Sequence, residues 1–443
     1  MTTSLSRRLG IGLAGVFVLI LIAIGARALS WAPEPWLVEQ LNDAGFNLQA
    51  DTFNAGEHQG FNHTWHDVAY SNANNDWVAA TIQVDLNPVS MLIGQPQIET
   101  LHITDGFWFS RSPGNVDALT GFTRLLDALA PRRLVLNGSN LVRGNLEITQ
   151  LAAVFERRGS SNRYNAQVTT QWAYNAIRAR ATAEAVVQWH DAAVRISEAS
   201  VSSEFTSGPW PGTATSQWRE ARISDAQLAI DFLSWHSARQ PLGTEFPNGL
   251  EWAGGLDAVR HTTDGWAFSG VDSALAFSGR DPETTYRLGT QGQDLTLNNG
   301  QLSGSWAISL RSETLGATPS DLTATLQGDA TVSNNDWHWQ APKLLLGITQ
   351  DNQQRSHNLS AASLALTPAN QRWTLTDGDW VIQTANAPER SYGFGALTGA
   401  WPGLVLIGAP DWTTPLNDDL TLLRRNLEWI DALRRELVST PGS

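Results

Sequence analysis

A chain of 443 residues with a formal net charge of -14 and a single lysine, Lys343, among 29 basic residues lacks the clustered positive surface that binding to nucleic acid or anionic lipid requires. It has no cysteine, which excludes a disulfide framework, a thiolate zinc site and a thiol nucleophile.

The first element is an apolar run. Arg7 and Arg8 precede an uncharged stretch from Leu9 to Ala26, carried by Leu9, Ile11, Leu13, Val16, Phe17, Leu19, Ile20, Leu21, Ile22 and Ile24 and closed by Arg27. As a helix it spans about 27 Å, close to the ~30 Å hydrocarbon core of a bilayer. Positive charge before the run, with Glu34 and Glu39 after it, predicts a cytoplasmic N-terminus and an exported body. A cleaved secretory signal is the alternative, with Ala26-Arg27-Ala28 as its site. The run exceeds the ~7 to 15 apolar residues of such signals, which favours an uncleaved anchor. The expected organisation is an anchor over residues 1–30, a β-rich body over 31–415, and an amphipathic helix with its tail over 416–443.

Trp36, Leu37, Val38 and Leu41 stand on helical spacing between Pro35 and Gly45 and predict a short helix at the membrane exit. The period then changes to two: Ile82, Val84 and Leu86, then Leu101 and Ile103, alternate with polar residues, as half-buried strands do. The alternation returns at Leu134 and Leu136, Leu275 and Phe277, Leu295 and Leu297, Trp306, Ile308 and Leu310, Leu322 to Leu326, and Leu364 and Leu366. Asn298-Asn299-Gly300 between two such runs predicts a tight hairpin, so consecutive strands are expected to be mostly antiparallel. Three helices interrupt them: Val116 to Leu129, a segment opened by Ser224 and Gln227 as a capping box and carrying Leu228, Phe232 and Leu233, and Leu416 to Leu437. Asp418 and Asp419 near the start of the last, and Arg434 and Arg435 near its end, suit the helix dipole. It is expected to cap an open end of the sheet, with lying on a membrane as the alternative.

Reactive constellations are missing from the sequence: there is no nucleophile elbow, phosphate loop or zincin motif. The stretch Gly393 to Gly399 misses dinucleotide-loop spacing and runs into Trp401-Pro402. His58, His63, His66 and Asp67 are potential metal ligands, but His63 and His66, three apart along a strand, point to opposite faces. They read as strand-edge histidines, and no metal, cofactor or catalytic residue is assigned. The 20 tryptophans are expected in the core and in hairpin packing.

Three modest helices cannot cover about fifteen one-face-apolar strands, so that face needs a second sheet or a non-protein cover. An acyl chain of about fifteen methylenes at ~0.8 kcal/mol each offers on the order of 10 kcal/mol before ordering costs. The fold class that follows is mainly β: a long curved antiparallel sheet, open as a groove or clamp, with a few short helices and one N-terminal transmembrane helix. The residues expected to line the groove are Ile82, Val84, Leu86, Leu101, Ile103, Leu134, Leu136, Leu275, Phe277, Trp306, Ile308 and Leu310.

The order of anchor, helix ending in Leu41-Asn42-Asp43-Ala44-Gly45-Phe46, strand and turn from Ile82 to Gly94, and second strand from Ile98 to Gly106 resembles the N-terminal region of AsmA-family proteins of Gram-negative envelopes. The resemblance covers roughly Leu9 to Asp105, and the rest of the chain shares only its style. It implies an inner-membrane-anchored periplasmic protein without a catalytic motif. Such a protein would bind or transfer phospholipid in support of outer-membrane and envelope biogenesis, with an unidentified periplasmic or outer-membrane protein as partner. A chain of 443 residues is short for a bridge across the periplasm, so a shuttle, a partial bridge or a regulator is equally open. The alternative function is an anchored scaffold or secretion accessory acting through protein contacts, and a carbohydrate-binding module or a hydrolase is a third class.

Overall fold

The computed structural model describes residues 33–43, Phe53, residues 56–110 and 126–407, and part of 419–432, apart from short connecting stretches. The run Leu9–Ala26 lies outside the described residues, among which no helix is long and apolar enough to cross a membrane. The protein is mainly β, with 22 strands among the described residues and a few short helices. It divides into two compact units, Met1–Asn175 with Ala181–Ile196, and Ala176–Arg180 with Ser197–Ser443.

The first unit holds α1 (Glu34–Asp43), β1 (Glu57–Gln59), β2 (Asn62–Ser71), β3 (Asn75–Leu86), α2 (Pro88–Leu92), β4 (Ile98–Ser110), β5 (Arg133–Arg143), β6 (Leu146–Arg157) and β7 (Arg163–Tyr174). These strands pair in chain order, all antiparallel except β4 with β5. A parallel pair needs a long return connection, and a helical turn at residues 126–129 lies within it. The rest of the helix expected from Val116 is outside the described residues. Asn87 caps α2, its side-chain oxygen accepting from the backbone N–H groups of Val89 and Ser90 at 3.0 and 3.1 Å. α1 lies where its spacing predicts, burying Leu37 and Leu41. Together with Leu126 and Leu129 they cover Trp65, Val84, Leu101 and Leu134 in one core.

Strands β8 (Ile177–His190) and β9 (Ala193–Ser207) divide their residues between the units. The second unit continues with β10 (Gly212–Ser224), β11 (Leu228–Ser237), β12 (Gln240–Leu242), β13 (Phe246–Thr262), β14 (Gly265–Ser278), β15 (Thr284–Asn298), β16 (Gln301–Thr314), β17 (Ser320–Val332), β18 (Trp337–Gln350), β19 (Gln353–Thr367), β20 (Arg372–Thr384), β21 (Ala387–Ala400) and β22 (Val405–Ile407). From β10 onward each strand pairs antiparallel with the next, except that β11 passes over β12 to β13. The predicted turn is present: Asn299 and Gly300 sit at φ 51° and 77° between β15 and β16.

One expectation is corrected here. Ser224 and Gln227 do not open a helix; their backbones exchange hydrogen bonds of 2.8 and 3.4 Å and close the β10–β11 hairpin. Leu228, Phe232 and Leu233 belong to β11, where the half-buried face runs through Leu228 and Ile230 and then shifts by one residue to Leu233 and Trp235. That shift turns a period of two into spacings that imitate a helix.

The same shift recurs across the unit. Glu220, Ala258, Asp294, Ala341 and Asp377 all adopt left-handed φ of 45° to 51° in mid-strand. Their neighbours' pairings, such as Arg219 with Phe232 and Ala221 with Ile230, or Ser363 with Thr376 and Ala361 with Gly378, put all five at one level of the ladder. Each acts as a bulge that bends its strand and resets its alternation. In β15 the face runs through Thr284, Tyr286 and Leu288, then past Asp294 through Leu295 and Leu297; in β20 it passes from Trp373 and Leu375 to Gly378 and Trp380. The seam therefore keeps one apolar face on both halves of a bent strand. In β16 the chain crosses the seam at Gly304, with φ 145°, where a Cβ would lie 2.6 Å from Leu295 Cδ2.

A non-glycine residue in this conformation costs about 1–2 kcal/mol, and aspartate bears it better than most. Ala341 has no such tolerance. Ala341→Gly is expected to stabilise the second unit by about 0.5–1 kcal/mol and Ala341→Val to destabilise it by about 2 kcal/mol, read from urea unfolding midpoints.

Candidate functional site: an apolar sheet face

The twelve residues expected to line a groove share the apolar side of their strands, but the two units treat that side differently. In the first unit Ile82, Val84, Leu86, Leu101, Ile103 and Leu134 are at most 6% exposed, and Leu136 packs against them beneath α1 and residues 126–129. These seven form a closed core. Alternation reports which side is apolar and says nothing of what covers it.

In the second unit the face is arranged in cross-strand rows. Leu310 is level with Trp252, Leu275, Leu288, Ala324, Leu346 and His357. Ile308 is level with Ser273, Thr290, Leu326, Leu344 and Leu359. Trp306 is level with Val271 and Gly292 on one side and Gly328 on the other. Across the seam a further row joins Phe268, Leu295, Gly304, Ala330, Trp339, Leu364, Leu375 and Leu397. The opposite side carries Gln291, Ser305, Ser309, Thr323, Gln327 and Lys343.

Cover is uneven along these rows. Phe277 packs with Phe246, Leu250 and Tyr286 against Ala432, and Leu310 packs with Leu322, Leu346 and Ile348 against Leu423. Both contacts come from the C-terminal segment, whose described residues Asp419, 421–425, Glu428 and Ala432 are helical, so this helix covers one end of the face. Asp419 fastens it: its carboxylate lies 3.0 Å from His357 Nε2 and 3.0 Å from an Arg355 guanidinium nitrogen, at 4% exposure. The remaining residues of the Leu416–Leu437 expectation are outside the described set. At the other end Leu359, Trp373, Leu375, Trp380 and Leu397 form their own cluster. Between these covered ends Val271, Leu288, Trp306, Ile308, Leu326 and Leu344 stay half-buried, as does Leu275.

The histidine group resolves differently from a metal site. His58 and His63 face each other across the β1–β2 pair with their Nδ1 atoms 2.9 Å apart, while His66 is exposed and pairs in register with Thr81. Among the described residues no group of three His, Cys, Asp or Glu side chains is placed to hold a metal. His58 Nε2 lies 3.0 Å from Glu34 at the start of α1, and the Trp65 indole donates to the same carboxylate oxygen at 3.3 Å. The cluster therefore holds α1 to the strands.

Burial holds the His63 imidazole below its ordinary pKa, helped by repulsion from His58 and opposed by Glu34 and Asp85. The folded protein then binds fewer protons there than the unfolded chain does. The stability this contributes is complete above the ordinary histidine value of 6.5 and is lost as pH falls below it. Melting of the wild type between pH 7.5 and 5 is expected to show this decline, and His63→Gln is expected to flatten it.

Comparison with protein-family models, with curated proteins and with solved structures finds no match to this chain.

Proposed function

We propose that the chain binds or transfers phospholipid, its acyl chains lying on the apolar face of the second unit between the two covered ends. In this reading the N-terminal run is an inner-membrane anchor, the body is periplasmic, and the protein serves outer-membrane and envelope biogenesis as a carrier without catalysis or cofactor. The observation that carries it is the half-buried middle of the face, Val271, Leu288, Trp306, Ile308, Leu326 and Leu344, apolar side chains on five neighbouring strands. Removing apolar area from water is worth about 25 cal/mol per Å², so an uncovered face of this breadth favours an apolar occupant. The test is native mass spectrometry of the full-length protein, expressed in a Gram-negative host and extracted in mild detergent. Phospholipid bound at defined stoichiometry supports the proposal; a lipid-free protein overturns it.

A second reading, an anchored scaffold acting through protein contacts, is favoured by β21. Among the described residues, β22 pairs only with its end, Thr398 to Ala400. An extended partner strand could add along the remainder, Ala387 to Leu397.

A further inference from the structure

One cross-strand row of the uncovered face changes character from one end to the other. The row that holds Ile308 passes through Gly254 on β13, Ser273 on β14 and Thr290 on β15, and on its other side through Leu326 on β17 and Leu344 on β18. In this row and the two that flank it, through Leu310 and Trp306, Ser273 and Thr290 carry the only hydroxyl, amide or charged side chains between β13 and β17. They stand directly opposite each other, which sets their β-carbons about 5 Å apart. Both are half-buried in the middle of the face, within reach of a molecule lying on it.

The β13 side of this pair is walled. Trp235 lies over Gly254, where a Cβ would run into its ring, and packs edge to face with Trp252 at 5.3 Å between ring centroids. The Trp252 indole donates to Ser273 Oγ at 2.6 Å, which leaves the Ser273 hydroxyl proton for another acceptor. The β16 side is apolar. Ile308, Leu326 and Leu344 extend three strand spacings from Thr290, about 14 Å, and the row then meets Leu359 in the closed cluster.

An acyl chain laid over the hydroxyl pair would strand two groups that water otherwise serves, whereas one laid from Ile308 to Leu344 strands none. We propose that Ser273 and Thr290 seat the glycerol ester end of a diacyl lipid, with its acyl chains running from β15 towards β18. This rests on the phospholipid reading above and adds the direction in which the lipid lies. The glycerol carries its two esters on adjacent carbons, which suits two hydroxyls on directly opposed residues. Trp235 keeps the chains from running the other way.

The test gives the full-length protein, in mild detergent, two forms of phosphatidylethanolamine, one with a photoreactive diazirine at the end of an acyl chain and one with the diazirine on the headgroup. Peptide mass spectrometry locates the adducts. The headgroup probe is expected to label β13 to β15, and the chain-end probe β17 and β18. Ser273→Ala combined with Thr290→Val removes both hydroxyls. It is expected to lower phospholipid retention about tenfold, as the loss of one to two net hydrogen bonds does, and to erase the difference between the two labelling patterns. Thr290→Val alone keeps the shape of the side chain, is expected to lower retention about threefold, and serves if the double variant does not fold. Labelling of the same strands by both probes in the wild type, or unchanged retention and labelling in a folded variant, overturns the polar seat and leaves lipid binding standing. No adduct from either probe on the apolar face removes the lipid reading itself.

Discussion

Ile308→Asp is expected to abolish phospholipid retention and leave a folded, soluble protein, whereas Leu322→Asp is expected to unfold the second unit. The two residues sit on neighbouring strands and share the apolar side, so hydropathy alone predicts the same outcome for both. Ile308 is half-buried, and a carboxylate there reaches water at a folding cost of about 1–2 kcal/mol in lost burial. It also places a charge against the site assigned to acyl chains, whose transfer to that surface then fails. Leu322 is 1% exposed within the cluster closed by Leu423. A carboxylate at that position loses the leucine contacts and remains desolvated, together about 5 kcal/mol or more. Circular dichroism melting, paired with lipid counting by mass spectrometry, separates the two effects. Loss of lipid in both variants with folding retained in both would show that Leu322 is not core.

Asp419→Ala is expected to release the C-terminal helix and cost about 3 kcal/mol, because it strands His357 and Arg355 beside a buried gap. His357 is 3% exposed, so water cannot replace the lost carboxylate at its Nε2. Leu423 and Ala432, which cover Leu322, Ile348, Phe277 and Tyr286, would leave with the helix. Limited proteolysis between residues 410 and 432 should then become fast while cleavage within the first unit stays unchanged. Asp419→Asn retains an acceptor for the imidazole and loses the ion pair with Arg355, and is expected to fall between wild type and alanine. Equal protease resistance of Asp419→Ala and wild type would mean that the helix is held by its apolar contacts alone.

The parts of the fold that could be read from the sequence are those fixed by neighbours in the chain. Alternation located the strands around Ile82, Leu101, Leu275 and Ile308, and the turn at Asn299-Gly300 follows from the positive φ both residues accept. The seam was hidden because three of its five left-handed positions, Glu220, Ala258 and Ala341, carry residues with no preference for that conformation. One consequence was the segment from Ser224 to Leu233, where a one-residue shift inside a strand looks like a helical stripe. The candidate site was legible only as a side of each strand. That Trp306 stands between Gly292 and Gly328, or that Ile308 is level with Leu326 and Leu344, follows from register across strands, which no single segment encodes. Whether the apolar side is closed was equally invisible: Leu101 and Ile308 obey the same alternation, yet only Leu101 lies beneath a helix.

Site-specific photo-crosslinking in cells bears most directly on the lipid-bearing face. A benzophenone side chain would be placed one at a time at Ile308 and Leu326 on the apolar side and at Ser309 on the exposed side. Phospholipid adducts at Ile308 and Leu326, with none at Ser309, are the expected result. Adducts absent from both apolar positions, or equally abundant at Ser309, would contradict a lipid-bearing face.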